Sequence, residues 1–314
     1  MTLQKTPQME ALQPERIHEH ALSWVSHFCE QIELHIVDHK AGITEEEIGF
    51  LQQTLDDYQK LLDVQRGKIK LSEKRLAQIR ERIPESETMP EETCAGTVRL
   101  LQALVSLARY MAKIDELHKA DKPSQEKETV ILGAAANIKF LNFFLAMQKE
   151  YGLDIRELTE LYTQVFYQSS IAHELQLIDF QNFPPGILAA VRAYWYLKQS
   201  SYQNADFHVP TPEEDMYHGV DLVCEKKDDQ GAITEQSLFQ VKGRNKGGNA
   251  TVFDVSDGQQ LAELRKTLEE QKLPDWDLEH HLQVLQKLIK YRDELQKGKA
   301  YPVKAYWVEV LMEY

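Results

Sequence analysis

Three polar side chains stand in two short apolar segments of the sequence, where apolar residues would pack better. Asp221 lies in GVDLVCE (219–225), and Gln240 and Lys242 lie in SLFQVKG (237–243). Because side chains alternate between the faces of a strand, Gln240 and Lys242 are predicted to share one face. A carboxylate, an amide and an ammonium between paired strands are costly unless they bind something. This spacing favours a binding or catalytic site.

The elements that would position these side chains are strands and helices in the second half of the chain, 182–314. A helix is predicted at PPGILAAVRAYWYLKQSS, followed by strands at DFHV, GVDLVCE and SLFQVKG. Helical patterns return from about Gly258 to Leu295, with an interruption near Pro274, and the chain ends in the strand-like YPVKAYWVEVLMEY. The order of these elements predicts an α/β unit around a small mixed sheet.

This order of elements, with its polar residues, resembles the PD-(D/E)xK nuclease superfamily from about Pro185 to Tyr314. That superfamily carries an acid on one strand and an acid-x-Lys triplet on the neighbouring strand. HGVDLV matches the first element, and FQVKGR matches the second in a Gln-x-Lys form. The resemblance implies an α+β protein with a C-terminal restriction-endonuclease-like αβββαβ domain and a mixed central sheet. It also implies metal-dependent hydrolysis of phosphodiester bonds in nucleic acid, in DNA in preference to RNA.

The resemblance also implies a role for each residue of the motif. Mg²⁺ or Mn²⁺ would be held by the carboxylate of Asp221, the amide oxygen of Gln240 and the backbone carbonyl of Val241, since hard cations prefer oxygen ligands. The cation would polarise the scissile phosphate and activate a water. Lys242 would orient that water and stabilise the charge that develops on the phosphate.

One acidic ligand of the superfamily pattern has no obvious counterpart in this sequence. Gln240 carries no charge, and the predicted helix at 185–200 contains no Asp or Glu. Asp215, six residues before Asp221, is the first choice for the missing acid, ahead of Glu214 and Glu174. Asp215 is also compatible with a plain turn, so its catalytic role is an expectation.

Basic residues follow the third strand and indicate contact with nucleic-acid phosphates. Arg244 and Lys246 lie just beyond Lys242, among glycines that would permit close backbone approach. A flexible exposed loop explains this segment equally well. His280 and His281 have no acidic partner at metal-ligand spacing in the sequence pattern, so they are expected on the surface of their helix.

The first half of the chain, 1–181, is predicted to be all α-helical. Its clearest pattern is a heptad within a helix expected to run unbroken from Thr44 to Ile83, about 60 Å at 1.5 Å per residue. This stripe indicates a helical hairpin packed on a helix at Pro14–Lys40, or a coiled-coil arm for self-association or a protein partner. The heptad positions are Ile48, Leu55, Leu62, Ile69, Leu76 and Ile83.

Composition limits the classes of function. The 314 residues carry a net charge of −14, which opposes a broad nucleic-acid-binding surface but permits a local basic groove. Three scattered cysteines without a CxxC pair favour a reducing, cytoplasmic setting. The N-terminal residues lack the apolar core of a signal peptide, and the strongest apolar run, FLNFFLAM, is shorter than a membrane span.

Three functional hypotheses follow from the sequence. The first is a Mg²⁺-dependent nuclease whose helical region recruits a partner or positions nucleic acid. The second is a catalytically inactive nuclease-fold module used for binding, which Gln240 and the net charge favour. The third is a helical scaffold protein whose C-terminal half is only structural. GxxxxGK[ST], GxGxxG, HExxH and GxSxG motifs do not occur in the sequence.

Overall fold

Helices come first along the chain and a five-stranded mixed sheet follows, so the protein is of mixed helix and strand. The computed structural model describes residues 45–83, 89–119, 127–163, 183–200, 202–244, 250–271 and 273–312. The described elements are α1 (Glu45–Gln65), α2 (Glu73–Arg82), α3 (Glu91–Lys119), α4 (Lys127–Tyr151), α5 (Ile155–Thr163), α6 (Phe183–Gln199), β1 (Asp206–His208), α7 (Pro212–His218), β2 (Leu222–Lys227), β3 (Ile233–Arg244), β4 (Ala250–Asp254), α8 (Gly258–Glu270), α9 (Asp275–Gln296) and β5 (Val303–Leu311).

The predicted unbroken helix from Thr44 to Ile83 is wrong, because the described part of it is two helices. α1 ends at Gln65, and Gly67 follows with a left-handed φ of 67° that an α-helix does not adopt. A new helix begins after Ser72, whose hydroxyl accepts a hydrogen bond from the amide of Arg75. The arm of about 60 Å therefore does not form.

The heptad stripe is buried at some positions and exposed at another. Ile48, Leu62 and Ile83 are buried in the helical core, whereas Ile69, in the turn between α1 and α2, is 36% exposed. α1 packs against α3, and α3 packs against α4. The expected packing partner at Pro14–Lys40 lies outside the described residues.

The stretch Ile131–Lys149 of α4 is long and apolar enough to cross a membrane by length and composition alone. This stretch is longer than FLNFFLAM, the strongest apolar run identified in the sequence. Its rings Phe140, Phe143 and Phe144 are fully buried, and α4 packs against α3 and α6. These contacts are those of a core helix in a globular protein.

The sheet has the strand order β1-β2-β3-β5-β4. β1, β2 and β3 are joined antiparallel, while β3 and β5 run parallel and are connected through α8 and α9. A parallel pair requires such a crossover. β4 pairs antiparallel with the outer edge of β5 and was not predicted from the sequence. Its segment, ATVFD, is short and follows a glycine-rich stretch that the sequence indicates only as a loop.

The two faces of the sheet pack against different helices, because side chains alternate along each strand. Phe239, Val241 and Val308 lie on the face that joins the core of α6 and the N-terminal helices. Leu238 and Trp307 lie on the other face, against α8 and α9. Gln240 and Lys242, two and four residues after Leu238, belong to the second face.

The two regions predicted at 1–181 and 182–314 share one hydrophobic core. The cluster that contains Leu101 and Phe140 of the helical region also contains Leu188 of α6 and Phe239 of the sheet. α4 contacts both α6 and α7. The helical region is therefore part of the surroundings of the sheet.

Leu62→Ala is expected to lower the free energy of unfolding by about 2–5 kcal/mol, because Leu62 is 4% exposed within the helical core. Ile69→Ala is the matched control and should change stability by less than about 1 kcal/mol, since Ile69 is already in contact with solvent. Urea denaturation of the two variants measures the difference. Equal destabilisation by both changes would show that the heptad is one continuous buried seam.

Candidate active site

Asp221 and Gln240 face each other at the ends of β2 and β3. The register that pairs Leu222 with Phe239 continues through a hydrogen bond from the Asp221 amide to the Phe239 carbonyl, 2.8 Å. The carboxylate of Asp221 accepts two hydrogen bonds through Oδ2, from the Val241 amide at 2.6 Å and from Nε2 of Gln240. Asp221 is thus fixed by both the backbone and a side chain of β3.

Gly219 makes room for this arrangement. Its φ of 66° is left-handed, and it closes the C-terminus of α7. A Cβ at this position would come within 2.8 Å of Oε1 of Gln240 and 2.7 Å of Val284. A side chain here would displace Gln240, so both the backbone conformation and the space require glycine.

Asp215 is carried by α7, a seven-residue helix that was not predicted from the sequence. Thr211 and Glu214 form a capping box at its start, the sequence pattern of which is TPEE. Glu214 also accepts a hydrogen bond from the Tyr291 hydroxyl of α9 at 2.7 Å, and His218 stacks on the Tyr291 ring at 3.9 Å. These contacts hold α7 against α9 and fix the position of Asp215.

The strand ends open into a cavity of about 420 Å³. Asp221, Gln240 and Lys242 line it from the sheet, and Asn137 of α4 lines it from the helical region. The remaining lining residues are Pro185, Gly186, Ala189, Val241, Gly243 and Met312. Asp221, Gln240, Val241 and Lys242 therefore meet at an opening between the two halves of the chain, whereas Asp215 and Arg244 are not among the residues that line it.

Asp215 and Asp221 are close enough for their charges to repel. Burial and the charge of Asp221 raise the pKa of Asp215 to about 7, against a hydrogen bond from Asn137 and the charge of Lys242. Burial likewise raises the pKa of Asp221 to about 6, against the Val241 amide, Lys242 and Gln240. A half-buried pair of carboxylates with raised pKa values is a site that a bound cation would stabilise.

Lys242 provides a positive charge beside this pair. Its Nζ lies 5.9 Å from the centre of the Trp307 ring, and within the described parts of the chain it forms no ion pair within 4 Å. Its charge acts on both Asp215 and Asp221. The ammonium is therefore available to an anion that enters the cavity.

The expectation that His280 and His281 both lie on the surface is wrong for His281. Its ring packs edge-on against Trp307 at 5.6 Å, and Nε2 lies 3.6 Å from a carboxylate oxygen of Asp277, one helical turn earlier. Burial and the charge of Lys242 lower the pKa of both histidines. The i,i+4 spacing of Asp277 and His281 was the sequence signal for this contact.

The basic residues predicted to contact nucleic acid are only partly described. Arg244 is half-buried and binds within the protein, to Oγ1 of Thr251 at 2.9 Å and to the carboxylate of Glu309 at 3.4 Å. These contacts turn its guanidinium toward the sheet. Lys246 and the alternative acid Glu174 lie outside the described residues.

Two residues of this region were missed by the sequence reasoning. Glu309 is 3% exposed in β5 and pairs in register with Lys242, and a charged residue within the apolar run AYWVEVL was the signal that pointed to it. Asn137 donates a hydrogen bond to Asp215 from a helix 78 residues earlier in the chain. An asparagine in a helix that also carries Lys139, Asn142 and Gln148 gives no signal of this contact.

The oxygen donors present fit a hard divalent cation only in part. Asp215 and Asp221 supply carboxylates, and Val241 supplies a carbonyl that accepts a hydrogen bond from Gln240 at 3.2 Å. The Gln240 amide directs its nitrogen at Asp221, so ligation through its oxygen requires the amide to rotate. Across the described ranges, no group of three or more His, Cys, Asp and Glu side chains is placed to hold a metal ion. A cation here would rely on the acidic pair, backbone oxygen and water.

Comparison with known proteins gives no match to a protein-family model, a curated protein or a solved structure.

The stability of the protein without added cation is expected to fall as the pH rises from about 4 to about 7. Folding raises the pKa values of Asp215 and Asp221 above the value of 3.8, so the folded protein binds protons that the unfolded chain releases. The stabilisation is complete below about pH 4 and is lost as the pH rises through the folded pKa values. Since one pKa unit corresponds to about 1.4 kcal/mol, the loss is on the order of a few kcal/mol.

Asp215→Asn should reduce this loss, because it removes one of the two charges while preserving size. Denaturation at a series of pH values measures it, with Glu213→Gln, an exposed change on the same helix, as the control. The stability of Asp215→Asn relative to the parent should increase with pH. A constant difference across this range would contradict the raised pKa of Asp215.

Proposed function

We propose that the chain is a metal-dependent nuclease of the PD-(D/E)xK type that hydrolyses phosphodiester bonds of DNA. The observation that carries this proposal is an open cavity lined by Asp221 and Lys242, with Asp215 near enough for both of their charges to act on it. Two acids beside a lysine are the residue types that cation-assisted phosphodiester cleavage requires. Asp215 thereby takes the role of the acid that the Gln-x-Lys triplet lacks.

The arrangement of strands supports the restriction-endonuclease-like fold. β1, β2 and β3 form an antiparallel meander, and the final strand β5 joins β3 in parallel after a helical crossover. α6 precedes the sheet and packs on one face, while α8 and α9 cover the other. This order resembles αβββαβ with three additions: α7, the edge strand β4 and a second helix before β5.

Each residue of the site has a distinct task in this proposal. Asp215 and Asp221 would hold Mg²⁺ or Mn²⁺, whose chemistry when bound is to polarise the phosphate and favour ionisation of a water. The Val241 amide holds the Asp221 carboxylate in place. Lys242 stabilises negative charge as it develops on the phosphate, because its ammonium is free of ion pairs among the described residues.

The charge distribution limits how nucleic acid would bind. A net charge of −14 disfavours long-range attraction of DNA, so contact would depend on local groups near the cavity. We propose that the helical region positions the substrate or a protein partner, since α4 forms one wall of the cavity. The setting proposed for this activity is the cytoplasm.

A second proposal is a catalytically inactive nuclease-fold protein that binds nucleic acid or a partner. The observation that favours it is the hydrogen bond from Nε2 of Gln240 to Asp221, which occupies the oxygen that also accepts the Val241 amide. A carboxylate satisfied in this way has less need of a cation. Turnover distinguishes the two proposals.

The nuclease proposal predicts cleavage of labelled nucleic acid in the presence of Mg²⁺ or Mn²⁺, on a panel of duplex and single-stranded DNA and RNA. Lys242→Ala should retain Mn²⁺ binding but lose at least about 100-fold in rate, since the ammonium acts on the reacting phosphate. Asp221→Ala should lose both Mn²⁺ binding and cleavage. Lys287→Ala, an exposed lysine of α9, is the control that should cleave as the parent does.

Cleavage that survives Lys242→Ala would come from a contaminant or from another site. Mn²⁺ binding by the parent with no cleavage of any substrate would favour the inactive binding module.

Gln240→Glu is expected to tighten Mn²⁺ binding, measured by isothermal titration calorimetry. A carboxylate at this position adds negative charge beside Asp221, which attracts a cation more strongly than an amide dipole does. The same change should lower stability without added cation, because it replaces a hydrogen bond by repulsion between carboxylates. If the variant has lower stability but the same Mn²⁺ affinity as the parent, residue 240 does not contribute to Mn²⁺ binding.

A further inference from the structure

Asp215 receives a hydrogen bond from outside the α/β half of the chain. The donor is Asn137 of α4, whose side chain also lines the cavity beside Asp221 and Lys242. α4 and α7 are in direct contact, so the pairing is part of a packed interface. This is a connection between the helical region and the acidic pair that none of the sequence motifs contains.

Asn137 is half-buried between two buried apolar residues of α4. Its neighbours Ala136 and Ile138 are buried in the core, and the helix is among the most apolar in the described chain, enough to satisfy the composition of a membrane span. Asparagine is a weak helix former and gains nothing from hydrophobic burial. Its amide instead reaches a carboxylate at the cavity.

We propose that Asn137 is a positioning residue of the site: its amide holds the Asp215 carboxylate in the orientation that lets Asp215 and Asp221 share one divalent cation. The inference rests on the proposed function. It assigns to the helical region a direct part in building the site, in addition to any role in positioning substrate. The α/β half alone would hold Asp215 only through α7 and its contacts with α9.

The opposite face of the same helix provides a matched control. Asn142 lies five residues after Asn137 and is exposed, so it shares the residue type and the helix but not the cavity. Asn137→Leu retains the volume of the side chain and removes the donor. Asn137→Ala removes both the volume and the donor. Comparison of the Leu and Ala variants therefore separates the effect of the hydrogen bond from that of packing.

The experiment measures Mn²⁺ affinity of the full chain by calorimetry, with thermal denaturation to confirm that each variant folds. Asn137→Leu and Asn137→Ala should each weaken Mn²⁺ binding by at least about tenfold, while Asn142→Ala should bind as the parent does. At saturating Mn²⁺, the electron paramagnetic resonance spectrum of Asn137→Leu should also differ from that of the parent, because the ligand Asp215 is reoriented.

The outcomes separate this inference from the proposed function. If the parent itself binds no Mn²⁺, the metal site is absent and the proposed function fails with it. If the parent binds Mn²⁺ and Asn137→Leu has the same affinity and the same spectrum, the site stands and Asn137 is only structural. A fall in melting temperature with unchanged Mn²⁺ affinity would equally show that Asn137 serves packing alone.

Discussion

The repulsion between Asp215 and Asp221 is the constraint around which the region is built. Burial raises the pKa of Asp215 to about 7 and that of Asp221 to about 6, and the charge of Asp221 adds to the shift of Asp215. Three surrounding groups partly offset this cost. The backbone amide of Val241 bonds to Asp221, the side-chain amide of Asn137 bonds to Asp215, and the Lys242 ammonium acts on both carboxylates. A cation would offset it more fully, and the proposed nuclease activity depends on that.

Several elements distant in sequence are needed to keep this pair together. β2 and β3 hold Asp221 through their register, α7 carries Asp215, and α9 holds α7 through Tyr291. α4 completes the enclosure, and its membership of the same hydrophobic core as the sheet makes the helical region a structural part of the site. Gly219, with its left-handed φ, lies between α7 and β2, and a side chain at this position would clash with Gln240.

The sequence predicted the elements better than their connections. Strand periodicity identified Asp221, Gln240 and Lys242, and the two helices between β3 and β5 follow apolar patterns of period 3.6. The heptad from Ile48 to Ile83 predicted one unbroken helix, which is wrong because Gly67, with φ > 0, ends the first helix despite the hydrophobic repeat. β4 was missed because it is a short edge strand. The contact of Asn137 with Asp215 could not be predicted, since a contact between helices far apart in sequence depends on tertiary packing that no local pattern encodes.

The most direct test of the acidic pair as a metal site is a crystal structure of the protein soaked in Mn²⁺, with anomalous diffraction data to locate the metal. We expect an anomalous peak between the carboxylates of Asp215 and Asp221, within about 2.0–2.6 Å of an oxygen of each. A map with no peak there, in which Asp221 remains bonded only to Gln240 and to the Val241 amide, would contradict the metal site. The carboxylate pair would then be a structural polar cluster.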